Sequence, residues 1–146
     1  MKIIITSIGI LCGAVAMLFN PTPSVQTNSI RKNGMEVTWA YENNRVQFEM
    51  KAPTTGWMAM GFNEADQLKN TYLIMGSVVN KLVKVKEHFV VEPGDYRPIE
   101  TFGAPVLVDV IEGLESEDGT VIRFSLPIEA IDAYRKDLGP GKSYSY

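Results

Sequence analysis

A chain of 146 residues, 45% hydrophobic and 21% charged, has the composition of a folded domain and the length of one. Its net charge of -3 gives no electrostatic case for a nucleic-acid partner. The densest basic group, Lys81, Lys84 and Lys86, includes a pair two residues apart, the spacing of a strand's solvent face.

The first 24 residues read as a secretory signal peptide. Lys2 supplies the positive start, and an apolar run over 3–19 is broken only by Thr6, Ser7, Gly9 and Gly13. Thr22, Pro23 and Ser24 then offer small residues for cleavage. The alternative is an uncleaved anchor, since the run sits near the lower limit of about 17 residues for crossing a bilayer; a membrane is a partner only in that case. Cys12 is the only cysteine, and Gly9-Ile10-Leu11 before it lacks the small residue a lipoprotein signal needs. Removal of the signal leaves a domain with no thiol and no disulfide. A Cys-x-x-Cys-His sequence is absent, which excludes covalent c-type haem attachment.

Residues 25–33 are polar and read as a linker to a domain over 34–146. Residues 35–41 alternate, with Val37, Trp39 and Tyr41 on one face. Asn43-Asn44 makes a tight turn, and 45–51 alternates again with Val46, Phe48 and Met50 inward, so the two segments form a hairpin. After Pro53, residues 56–62 are apolar on both faces, as in a strand covered on both sides. Residues 63–70 form a polar loop holding Leu68, 71–79 a strand, Asn80-Lys81 a turn, and 82–91 a further strand. Two prolines, Pro93 and Pro98, fix a loop before a strand over 106–112. Glu115, Glu117 and Asp118 surround an Asp-Gly turn, read as a solvated turn or as a calcium site, and 120–126 is the partner strand. Pro127 opens a helical pattern of Ile128, Ile131, Tyr134, Arg135 and Leu138, with Gly139 past its end. Residues 142–146 begin to alternate like a strand. The expected fold is all-β: an antiparallel immunoglobulin-like β-sandwich with one short helix near the C-terminus. A sandwich stopping at Tyr146 exposes a strand edge, so the C-terminal strands are expected to be missing from this sequence.

Catalysis finds little support, and the expectation is a non-enzyme with no catalytic residues. His88 is the only histidine and lies in a regular strand. The carboxylates Glu64, Asp66, Asp95 and Asp109 have no specific spacing. Neither a phosphate-binding glycine loop nor a metal-ligand spacing of His or Cys is present. An apolar pocket remains: Met35, Met50, Met58, Met60 and Met75 lie in strands, near Trp39, Trp57, Phe62 and Tyr72. Methionine serves either as a core filler or as a soft ligand to haem iron. Trp57 either lines a ligand or packs between sheets.

Gly56, Trp57, Ala59, Gly61 and Phe62, followed after a loop by Gly76, resemble the core of the DOMON domain family. Residues 87–91 with Pro93 and Pro98, and residues 119–125, are similar to its later strands. The resemblance spans about 33–146 and implies an extracytoplasmic β-sandwich that binds haem b or sugars. Haem-binding members place an axial methionine in the loop after the Gly-Trp strand, which falls here on Leu68, and a histidine near the domain's end, which falls beyond Tyr146. His88 stands where the family often has an acidic residue. Met75, Met60 or Met58 lies near enough in the pattern to substitute, so the expected cofactor contacts are Trp57, Met58, Met60, Leu68 and Met75, with Met60 and Met75 as the expected ligands to iron. The expected function is a secreted or periplasmic domain that binds haem b non-covalently for electron transfer, with a redox protein as partner. The alternative is a sugar or small-ligand module that stacks its ligand on Trp57, Tyr72 and Tyr96, and a third reading is a domain for protein–protein contact.

Overall fold

The computed structural model describes residues 27–144, so the signal peptide read over 1–24 lies outside the described residues. Among the described residues, nine strands build two antiparallel sheets: β1 (Asn28–Lys32), β2 (Met35–Glu42), β3 (Arg45–Ala52), β4 (Trp57–Phe62), β5 (Tyr72–Val79), β6 (Leu82–Glu92), β7 (Asp95–Pro98), β8 (Asp109–Ser116) and β9 (Gly119–Pro127). The larger sheet runs β1-β2-β3-β9-β8 and the smaller β4-β5-β6-β7. The all-β antiparallel sandwich is therefore the fold.

Three hairpins turn on two residues each, both at positive φ: Asn33-Gly34, Asn43-Asn44 and Asn80-Lys81. Such turns carry a twist that matches the flanking strands, and asparagine tolerates them where most side chains do not. The core lies between the sheets. Met50, Ile74, Ile122, Phe124 and Leu126 are fully buried there. Phe48 stacks on Phe124 at 5.5 Å within the larger sheet and meets Phe62 of the smaller sheet at 5.8 Å. At Gly76 an added Cβ would stand 2.9 Å from Ile122 Cδ1, so the missing side chain is what lets β5 approach β9.

Three sequence expectations need correction. Residues 28–32, read as linker, form β1, because Ile30 opposite Val37 gives this polar segment an inward-facing contact. Residues 95–98, read as loop, form β7 along β6. The helix expected over 128–138 does not form: the segment is irregular, and the one helical turn among the described residues is the short 3-10 turn Ile99–Phe102. Tertiary contacts replace the helical bonds. The Leu138 amide donates to Ile128 O at 2.7 Å, Leu138 is buried, and Arg135 turns inward to Glu87.

The Glu87–Arg135 pair is the polar centre of the sandwich. Oε1 of Glu87 accepts from Tyr72 Oη at 2.6 Å and Arg135 Nε at 3.0 Å. Its Oε2 accepts from the amides of Leu107 (2.6 Å) and Val108 (3.0 Å). Arg135 also donates to the Asp132 carboxylate and to the Pro105 carbonyl. One buried carboxylate thus ties two irregular segments to β6. Burial, then the neighbouring Glu87 charge, holds the Tyr72 hydroxyl far above its ordinary pKa, so it stays a donor.

An apolar groove beside strand β4

The two sheets are unequal, and the groove follows from that. Around Gly76, β5 packs against Ile122 of β9 and Met50 of β3. The larger sheet therefore extends past the β4 edge by β2 and β1. Period-two alternation points Met35, Val37, Trp39 and Tyr41 of β2 inward, with Ile30 of β1 opposite Val37. Across the gap, Met58, Met60 and Phe62 face inward from β4, opposite Gly76, Ile74 and Tyr72 of β5. These walls enclose about 1040 Å³, at the top of the roughly 300–1,000 Å³ common for ligand pockets.

Thr54, Lys32 and Asn33 stand at the Trp57 end of the groove. Leu138, Lys142 and Tyr144 close the Phe62 end, where the Tyr144 ring meets Phe62 edge-on at 5.5 Å. Burial, then the charges of Asp137 and Glu64, pushes the Tyr144 hydroxyl up to about 12, so it remains a neutral donor, to Asp137 O. Among the described residues the lining holds no carboxylate and no imidazole; its charged members are Lys32 and Lys142.

The expected site residues separate on this geometry. Met58 and Met60 line the groove from β4, Met58 almost fully buried and Met60 half-buried. Trp57 lies at the rim, 67% exposed. Met75 does not join them: it sits opposite Ala59 and exposed Lys86, on the outer face of the smaller sheet, because Tyr72, Ile74, Gly76 and Val78 take the inner face. Leu68 is 62% exposed on the loop after β4 and is not part of the groove wall. That loop is held by Asn63, whose Nδ2 donates to Gln67 O at 2.7 Å, Lys69 O at 2.8 Å and Thr71 Oγ1 at 3.0 Å.

The stacking residues also separate. Tyr72 is buried against Glu87, and Tyr96 lies on β7, three strands from β4 in the sheet order. His88 faces outward from β6, opposite Leu73 and Pro98, with its ring 5.7 Å from Tyr96. Burial lowers its pKa, and among the described residues its Nδ1 has no hydrogen-bond partner. The donors able to meet a soft metal from the groove wall are the thioethers of Met35, Met58 and Met60. The alternation of residues 35–41 marked one wall in the sequence; Tyr144 and the Glu87–Arg135 tie carried no signal there.

The family model described as the DOMON domain matches residues 31–146. No curated protein matches the chain. Among the described residues, no helix is long and apolar enough to cross a membrane.

Proposed function

We propose, since the chain belongs to the DOMON domain family, that it is an extracytoplasmic binding module that takes haem b non-covalently in the groove beside β4. The observation that carries this reading is the groove itself: about 1040 Å³ walled by Trp39, Tyr41, Phe48, Phe62 and methionines, with no carboxylate. Size and polarity suit a flat, largely apolar macrocycle. Both carboxylates leave the macrocycle from one edge, and Lys142 at the Phe62 end suits them.

The donor set narrows the reading. Leu68 and Met75 stand away from the groove and His88 faces the other side of its sheet, so Met58 and Met60 are the residues that would reach iron from β4. Haem held this way supplies one-electron redox chemistry. The chain's own part is to exclude water with its aromatic wall and to present a thioether. Electron transfer to a redox protein partner follows from that reading.

The test is a haemin titration of the protein followed by visible absorption in oxidised and reduced states. A saturable Soret band with resolved reduced bands is expected. Flat, non-saturating absorption would remove haem and leave a module for another ligand. The sugar alternative rests on the exposed Trp57 alone, and glycan binding that is lost on Trp57→Ala would favour it.

A further inference from the structure

We propose that two copies of this chain dimerise end to end, through two hairpin tips at the Trp57 end of the sandwich. The inference rests on those tips and not on the groove or the haem reading.

At that end lie the connections over 33–34, 53–56, 80–81 and 117–118. The described chain starts and stops toward the other end, where Asn28 pairs with Trp39 and the Tyr144 ring meets Phe62. Two of the connections are two-residue tips of opposite charge. Val79 pairs with Leu82 across Asn80-Lys81, and Ser116 with Gly119 across Glu117-Asp118. The basic tip belongs to the smaller sheet and the acidic tip to the larger. One stands over the other, because β5 packs on β9 and β6 on β8. A Cβ added to Gly113 would stand 2.6 Å from Val83 Cγ2 and 2.9 Å from Val78 Cγ2, so the two hairpins touch just below their tips.

The charges on these tips are not satisfied within the chain. Lys81 and the neighbouring Lys84 are exposed and make no ion pair among the described residues, and the same holds for Glu117 and Asp118. The outer face of the larger sheet differs: Arg123 closes on Glu49 and Glu112 there. Glu115 has no part in the contact, since it accepts from the Gly56 amide at 3.0 Å and from Thr120 Oγ1 at 3.3 Å.

Symmetry then selects the occupant. A two-fold axis in the contact plane, parallel to the sheets and perpendicular to the strands, turns the smaller sheet of one copy over the larger sheet of the other. The basic tip of each copy faces the acidic tip of the other, so the attraction occurs twice. A two-fold along the sheet normal would instead set Lys81 on Lys81 and Asp118 on Asp118, so charge chooses between the axes. Apolar surface agrees with the choice. Val79, Leu82 and Leu114 are each more than half exposed, and all three alternate toward the outer faces of their sheets. The same axis brings Val79 and Leu82 onto Leu114 of the second copy. A contact of hairpin tips is small, under about 1,200 Å², which places it among weak, transient interfaces that dissociate on dilution.

Sedimentation equilibrium of the protein, without haemin, in about 0.1 M salt tests the pairing. Charges more than about 10 Å apart are screened there, so the net charge of -3 opposes contact little. A doubling of mass with rising concentration is expected. Lys81→Glu, and separately the pair Glu117→Lys with Asp118→Lys, should each weaken association at least about tenfold, because the two-fold reverses both contacts at once. Mixing the two variants should recover the dimer, since every altered tip then meets its opposite charge. A variant that fails to fold is not recovered by mixing. A monomer at every concentration, a dimer that neither change weakens, or variants that stay apart when mixed would overturn the proposal. Haemin is absent throughout, so neither this result nor the haemin spectrum decides the other.

Discussion

Arg135 Nε donates to Glu87 Oε1 at 3.0 Å across 48 residues of sequence, with the two side chains only 2% and 0% exposed. An ion pair this buried contributes little net stability against an apolar replacement, yet loses much when one partner goes. Its role here is positional: it fixes residues 105–108 and the irregular segment that ends in Leu138, a wall of the groove.

Arg135→Met should therefore cost about 3–5 kcal/mol, by stranding a buried carboxylate. Adding Glu87→Met should return part of that loss. The return stays incomplete, because the Leu107 and Val108 amides then lose their acceptor, at about 1–3 kcal/mol for a buried unsatisfied group. Urea denaturation of the two variants checks the order. A double variant less stable than Arg135→Met would contradict it.

His88 supplies a pH dependence. Burial lowers its folded pKa below the ordinary 6.5. Below 6.5 the unfolded chain takes up the proton first, so acid favours unfolding. The contribution is complete above pH 6.5 and is lost as pH falls toward the folded value. His88→Leu should flatten that part of the stability curve relative to the parent, measured by denaturant midpoints between pH 7.5 and 5. Parallel curves for the two proteins would refute the assignment.

Gly76 should not tolerate a side chain. Gly76→Ala places a methyl 2.9 Å from Ile122 Cδ1 and should cost about 1–3 kcal/mol by overpacking. Ile122→Val removes that atom. The two changes together should destabilise less than the sum of their separate effects, read from a thermal double-mutant cycle. Simple additivity would mean that β5 and β9 move apart instead.

Met60 and Met75 should part company in a ligand test. Met60 lines the groove, whereas Met75 lies on the outer face of the same sheet. Met60→Leu is expected to shift the absorption of added haemin and Met75→Leu to leave it unchanged. A shift with Met75→Leu alone would place the ligand outside the groove.

The sequence by itself determined the class of fold and several of its joints. Asn43-Asn44 and Asn80-Lys81 were legible because few residues accept positive φ in succession. The alternation of residues 45–51 matched the observed faces, with Val46, Phe48 and Met50 buried, because β3 has one face toward the core. The Gly-Trp block was enough for the family. Tertiary structure alone decided the rest. Residues 57–62 and 71–79 are apolar on both faces, so their periodicity could not say that Met60 points into the groove and Met75 away; the stacking of the sheets does. Residues 128–138 carried a helical spacing, but the pull of Glu87 on Arg135 and the burial of Leu138 act over long sequence separations that no local pattern records. The groove itself exists because β5 stacks on β9 and β3, which leaves β2 and β1 of the larger sheet beyond the β4 edge, a property of how the layers are offset and not of any one segment.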